Sequence, residues 1–353
     1  GLATGLAIMG FGGGALIASP LSNALMAFYG GGSEPENLVA GLTPTFITLA
    51  VVYAVLITAG AFVVRVPHPD WKPQGWDPEK ATAKPMQTDN HVAVGRAMRT
   101  PQFWFLWIVL FTNVTAGIGI LENAAPMIRD FFPEITAAAA AGFVGMLSLT
   151  NMAGRFVWSS VSDSIGRKNI YMLYLGLGLL LYLLIALAGG SLIVFLLATL
   201  VILSFYGGGF ATIPAYLKDL FGVMQVGAIH GRLLTAWSAA GVAGPLIING
   251  FLDRAGGAGG LDASAYRPAL LTMVGVLAVG FVANLLVRPV ADRFHEQGDV
   301  HVLPSAAEAV GAATGKVAGR GTLRVVLSWA VVLALLTYGV VMTLSTALKL
   351  FTG

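Results

Sequence analysis

The 353-residue sequence contains no cysteine. Disulfides, thiolate metal sites and cysteine nucleophiles are therefore excluded. Charge is also scarce: Asp, Glu, Lys and Arg are 10% of residues, against about 25% in soluble domains. So few charges cannot cover a soluble surface, and a soluble two-domain reading of this length fails. No P-loop occurs, which argues against ATP-driven pumping. The string His295-Glu296 with His301 lacks the i, i+4 histidine spacing of a zinc helix, so no metal or cofactor is expected. The hydrophobic runs carry no acid/base pair or metal cluster, so an enzyme is not expected. The formal charge of +3 comes from basic residues scattered over loops, which is no nucleic-acid footprint.

What is abundant is apolar: 56% hydrophobic residues, with 45 glycines. Nine runs are long enough for membrane helices, at 2–28, 43–64, 103–125, 137–160, 170–188, 191–217, 233–252, 268–287 and 323–348. A closed barrel would instead show alternating ten-residue strands. The fold expected is all-α and polytopic. Gly207-Gly208-Gly209 is a place where the sixth run could bend or break, and the first run is weakened by its glycines. Fifteen Lys and Arg fall in one alternating set of loops and four in the other. The positive-inside rule then places the 65–99 loop in the cytoplasm of a plasma (inner) membrane protein.

The loops divide the chain into two helices (1–64), a polar linker (65–100), six helices (101–290), an Ala/Gly-rich linker (291–322) and a solitary helix (323–353). Two, six and one fits a six-plus-six protein lacking four helices. Gly1 is not a Met, and the chain is apolar from Leu2, so a longer protein with further helices upstream is expected.

Between the fourth and fifth runs stands Gly154-Arg155-Phe-Val-Trp-Ser-Ser-Val-Ser162-Asp163-Ser-Ile-Gly166-Arg167-Lys168. Gly166 permits a tight turn, and Asp163 suits a helix N-terminus or an arginine across the loop. The pattern resembles the cytoplasmic loop motif of the major facilitator superfamily, in its copy between helices 8 and 9. The nine runs then correspond to helices 5–12 plus one more. The opening Gly1–Gly14 stretch, Trp71-Lys-Pro-Gln-Gly-Trp76, Arg99-Thr-Pro-Gln-Phe-Trp-Phe-Leu-Trp107, Asn113-Val-Thr-Ala-Gly-Ile-Gly119, His230-Gly-Arg and Thr235-Ala-Trp-Ser-Ala-Ala-Gly241 are similar to the oxalate/formate antiporter branch, related to monocarboxylate porters. The last run, with Ser328-Trp329 and Tyr338, is similar to single-helix proteins associated with such carriers.

One cation lies inside a run. Arg155 is eight residues before Asp163, roughly 12 Å from that helix end. A charge at that depth costs at least ~2.5–3.5 kcal/mol and normally faces a partner or a wet cavity. It either holds a substrate carboxylate with its planar fork or snorkels to the interface. The resemblance implies the former. Asn151, four residues earlier, shares its face. The related monocarboxylate porters usually carry an acid there that takes part in proton coupling, so the amide speaks against proton symport by that route. Oxalate carriers add a Lys in helix 11, but the run 233–252 holds no Lys, Arg or His, and Trp237 is its most polar-edged residue. One cation suits a monoanion.

Asn113 either binds substrate or bridges helices. Tyr206 is a cavity wall or ordinary packing, and Glu122 is an outer gate or an interfacial acid. Gly154, Asp163, Gly166, Arg167 and Lys168 form the conformational loop, and His230 lies in a cytoplasmic loop. The expectation is a monomeric secondary carrier that exchanges small organic anions across the lipid bilayer by alternating access, with a formate- or lactate-like monocarboxylate as the substrate and oxalate as the further candidate. The alternative is a non-transporting membrane subunit or sensor on the same fold.

Overall fold

A computed structural model describes residues 2–30, 35–63, 86–88, 90–256, 261, 263–296 and 330. Contacts divide the chain into Gly1–Glu296 and Gln297–Gly353. Of the second unit only Ala330 is described. The expected helix at 323–348, most of the 291–322 linker and the stretch 64–85 thus lie outside the described residues.

The first unit is helical, with no strand among the described residues. Its helices are α1 (Leu2–Phe28), α2 (Pro35–Val63), α3 (Val94–Ala97), α4 (Pro101–Phe131), α5 (Ala137–Ile165), α6 (Arg167–Ala188), α7 (Leu192–Phe221), α8 (Val226–Leu233), α9 (Thr235–Ala255) and α10 (Ala263–Leu286). Six described stretches have the length and composition to cross a membrane: 40–62, 101–131, 167–188, 192–221, 226–255 and 263–286. In lipid every backbone group must be satisfied internally, which long helices accomplish. Local chemistry sets the ends. The Thr100 hydroxyl accepts from the Phe103 amide at 3.3 Å, with Pro101 in the first turn. Thr136 caps α5 in the same way through Ala139.

Three boundaries differ from the sequence reading. α2 begins at Pro35, well before residue 43. α7 runs unbroken through Gly207-Gly208-Gly209. His230 lies not in a loop but on α8, whose Ile229 and Leu233 are buried, and Val226–Ala255 forms one long apolar stretch divided at Leu234.

Small residues mark the helix crossings, as expected where close van der Waals contact, rather than water exclusion, joins helices. α5 and α7 meet most extensively: Gly154 faces the Ser204 backbone, Gly207 the Asn151 backbone, and Gly208 the Trp158 and Tyr174 side chains. On α1, Gly5 lies against Ser159 and the Arg155 carbonyl, while in the α4–α9 seam Gly244 abuts Thr115. Gly154 is thus a mid-helix packing residue and no part of the loop it was grouped with.

Candidate functional site: a caged arginine between helices

Arg155 is 0% exposed. Its side chain is closed in by the neighbouring helices. Its Nε donates to Asn151 Oδ1 at 3.0 Å, so the residue one turn earlier fixes the plane of the fork. Phe11 of α1 and Phe210 of α7 each place a ring centroid 5.1 Å from Cζ. Such cation–π contacts offset about 0.5–2 kcal/mol of the desolvation each. Trp237 of α9 stands edge-on to Phe210 at 3.9 Å and to Phe11 at 5.7 Å, and Tyr206 lies 6.3 Å from Trp237. Three helices besides α5 therefore contribute aromatic rings to one cluster.

Inside this cage Arg155 Nη1 is buried without a hydrogen-bond partner. No ion pair reaches Arg155 among the described residues. An unsatisfied donor on a buried cation is costly. A bidentate acceptor of one negative charge, such as a carboxylate, is its chemical complement.

Of the residues singled out from sequence, Arg155, Asn151, Tyr206 and Trp237 come together. Tyr206 packs its ring against Gly117. Asn113 is buried beside Gly209, in the seam between α4 and α7, and its Oδ1 has no partner. Glu122 is exposed and takes part in none of the cage's ring or hydrogen-bond contacts described above. Sequence reasoning missed Phe210 and Phe11. Phe210 was legible, because it follows Tyr206 by four residues and so shares its face. Phe11 carried no local signal, since only the packing of α1 on α5 and α7 brings it to the arginine.

The loop motif builds a second, separate cluster. Gly166, at φ +89°, is the single residue between α5 and α6. Arg167 donates to Asp163 Oδ1 and Ser162 Oγ, and its Nε lies 3.3 Å from Asp219 Oδ2 of α7. Asp163 also accepts from the Leu2 amide in the first turn of α1, at 2.9 Å. Lys168 Nζ donates to the Leu285 and Val287 carbonyls at 2.8 and 2.7 Å, closing the end of α10. A cavity of about 400 Å³ opens here, lined in part by Asp163, Arg167, Tyr216 and Asp219. Its cationic groups are already engaged by protein acceptors, so it makes no demand for an anion. No group of three or more His, Asp or Glu converges among the described residues.

The fold defines a class. The family model described as Major Facilitator Superfamily matches residues 1–214 and again 124–353. The chain belongs to that superfamily of membrane transporters. Among curated proteins it is similar to the oxalate:formate antiporter of Oxalobacter formigenes, at 28% identity over 245 residues, covering 69% of this chain and 53% of that protein. It is also similar to apicoplast pyruvate carrier 1 of Toxoplasma gondii, at 27% over 276 residues, covering 65% and 50%. The chain thus spans about half the length of these relatives. The crystal structure of the Escherichia coli fucose:proton symporter shares the fold with a TM-score of 0.54 at 19% identity, covering 80% of this chain and 67% of that one.

Proposed function

We propose that the protein is a secondary carrier of small organic monoanions, of the formate, lactate or pyruvate kind, with Arg155 as the carboxylate anchor. The observation that carries this reading is a fully buried guanidinium whose Nη1 has no partner, and which meets no counter-carboxylate, among the described residues. Asn151 orients the fork, and the rings of Phe11, Phe210 and Trp237 border it with apolar faces that suit a short carbon chain. Tyr206 completes the aromatic wall. The names of two relatives, one an oxalate:formate antiporter and one a pyruvate carrier, support the same substrate class. A single cation in the cage favours a monoanion over oxalate.

In this reading the bundles alternate access to a midplane site, as inverted-repeat carriers do. Exchange follows from charge. A buried cation without its guest penalises reorientation of the empty carrier, whereas the occupied site is neutral and moves. The basic loops face the cytoplasm, the membrane is the plasma (inner) membrane, and the carrier works as a monomer. Asp163, Arg167 and Lys168, with Gly166 as the turn, act as the latch on the cytoplasmic side, tying α1, α7 and α10 in one state and releasing them in another.

The test is counterflow of radiolabelled formate, lactate, pyruvate and oxalate in liposomes holding the full-length protein. Arg155→Ala should lose monocarboxylate exchange, and Arg155→Lys should retain only a fraction, because an ammonium lacks the planar fork. Exchange that survives Arg155→Ala at the wild-type rate would overturn the assignment.

A further inference from the structure

The last carbonyls of a helix have no partner within it. At the end of α7 the polar linker supplies partners. The Thr88 amide donates to the Asp219 carbonyl and the Val92 amide to the Phe221 carbonyl, each at 3.0 Å. Gly222 turns the chain there at φ +78°, and a Cβ on it would lie 2.3 Å from the Asn90 carbonyl oxygen and 2.6 Å from His91 Nδ1. The Val94 amide then donates to Gln225 Oε1 at 2.8 Å, immediately before α8. This end of the linker is therefore laid along the turn from α7 into α8.

Its other edge holds the chain that leaves α10. The Glu296 amide donates to the His91 carbonyl at 2.8 Å, and Arg96 Nη1 to the His295 carbonyl at 3.1 Å. The Asn90 side-chain amide lies 3.3 Å from His295 Nδ1. From α4, Gln102 Nε2 donates to the Pro289 carbonyl at 3.0 Å. Beneath these bonds Val92, Ala97, Val287 and Val290 are buried in the same core as the helices. Unfastening the linker would leave helix-end carbonyls unpaired and bring the valines to water, so the bonds and the burial hold or fail together.

We propose that the linker end around Thr88–Ala97 and the segment Val287–Glu296 form a buckle that ties α7, α8 and α10 into one unit, and that it stays fastened while the carrier cycles. The inference rests on the reading of the protein as an alternating-access carrier. Under it, this end of the linker travels with the six-helix bundle. The contacts that part are those α1 makes with the bundle: the Leu2 amide on Asp163, and Gly5 against Ser159. The buckle also fixes the approach to α9, because α8 leads into it at Leu234 and Trp237 of the arginine cage follows in its first turn.

The chain has no cysteine, so a pair introduced at Asn90 and His295 can be bridged selectively. The full-length protein carrying Asn90→Cys and His295→Cys is placed in liposomes, and its two thiols are joined with a short bis-methanethiosulfonate. Pyruvate exchange should stay within about twofold of the unbridged rate, because a rigid-body motion leaves the pair together. A larger loss that a reductant reverses overturns the inference. Hydrogen exchange tests the unit without any transport. In Gly222→Ala the added methyl must displace Asn90 and His91. Protection of the Val92 amide should fall about tenfold or more, and that of the Glu296 amide on the far edge should fall with it. A Glu296 amide that keeps its wild-type protection overturns the single unit. Failure of the underlying reading looks different: wild type would exchange no carboxylate, while the Glu296 amide would still loosen in Gly222→Ala.

Discussion

Arg155 and Arg167 belong to the same helical hairpin and are both buried, at 0% and 8% exposure, yet their surroundings are opposite. Arg167 is saturated: Asp163, Asp219 and Ser162 engage its three nitrogens. Among the described residues Arg155 has one neutral amide and two aromatic faces, and its Nη1 has no hydrogen-bond partner. A protein that needed Arg155 only for stability would have supplied a carboxylate, as it did twelve residues later. The contrast separates a cation that holds the structure together from one held ready for something else.

The largest expected effect breaks the saturated arginine. Arg167→Ala leaves the Asp219 carboxylate, itself only 6% exposed, with only the half-exposed Lys218 ammonium at 3.9 Å, and breaking a buried pair costs up to about 3–5 kcal/mol. Thermal unfolding in detergent should show a marked fall in Tm, and adding Asp219→Asn should restore part of it. Asp163 contributes less, being more exposed and solvent-screened.

The same measurement on Arg155 should go the other way. Arg155→Met removes an incompletely satisfied buried charge, so Tm should hold or rise while carboxylate binding falls about 10- to 150-fold, the loss of one charge-assisted hydrogen-bonded contact. A fall in Tm as large as that of Arg167→Ala would remove the distinction between the two sites.

Next in size are the crossings that bring the arginine to its cage. A Cβ at Gly207 would collide with the Asn151 backbone, and one at Gly154 with that of Ser204. Gly207→Ala should therefore cost about 1–3 kcal/mol and pull Asn151 away from the fork. Gly60→Ala, where nothing stands nearby, is the neutral control in the same assay. The smallest effect sharpens the cage itself. Phe210→Leu keeps the site apolar but loses one cation–π face, an affinity change of about 0.5–2 kcal/mol. Direct binding titration of pyruvate or lactate would resolve it.

Much of this was legible before any coordinates. Composition alone required a lipid-solvated chain, because 10% charge cannot clothe a soluble surface, and the long unbroken apolar runs made it helical rather than a barrel. The apolar runs anticipated α1, α2, α4, α5, α6, α7, α9 and α10, with errors at the ends. Pro35 opens α2 early because proline is at home in a first turn, and α7 survives three glycines because neighbouring helices press against them. Asn151 and Arg155 on one face followed from the helical period. The Asp163–Arg167 pair could be guessed from the turn at Gly166, but Asp219 as its third member could not, since it lies 52 residues further along the chain.

The chain's own chemistry determined its medium, its helices and the presence of one cation too deep to ignore, because hydrophobicity and helical period are local properties that residues carry with them. Tertiary structure alone decided what surrounds that cation. Phe11 and Phe210 are 199 positions apart, and they meet over Arg155 only because Gly5, Gly154 and Gly207 let α1, α5 and α7 approach closely. Whether a buried charge is paired or left waiting depends on which distant side chains packing delivers to it, and no short stretch of sequence encodes that.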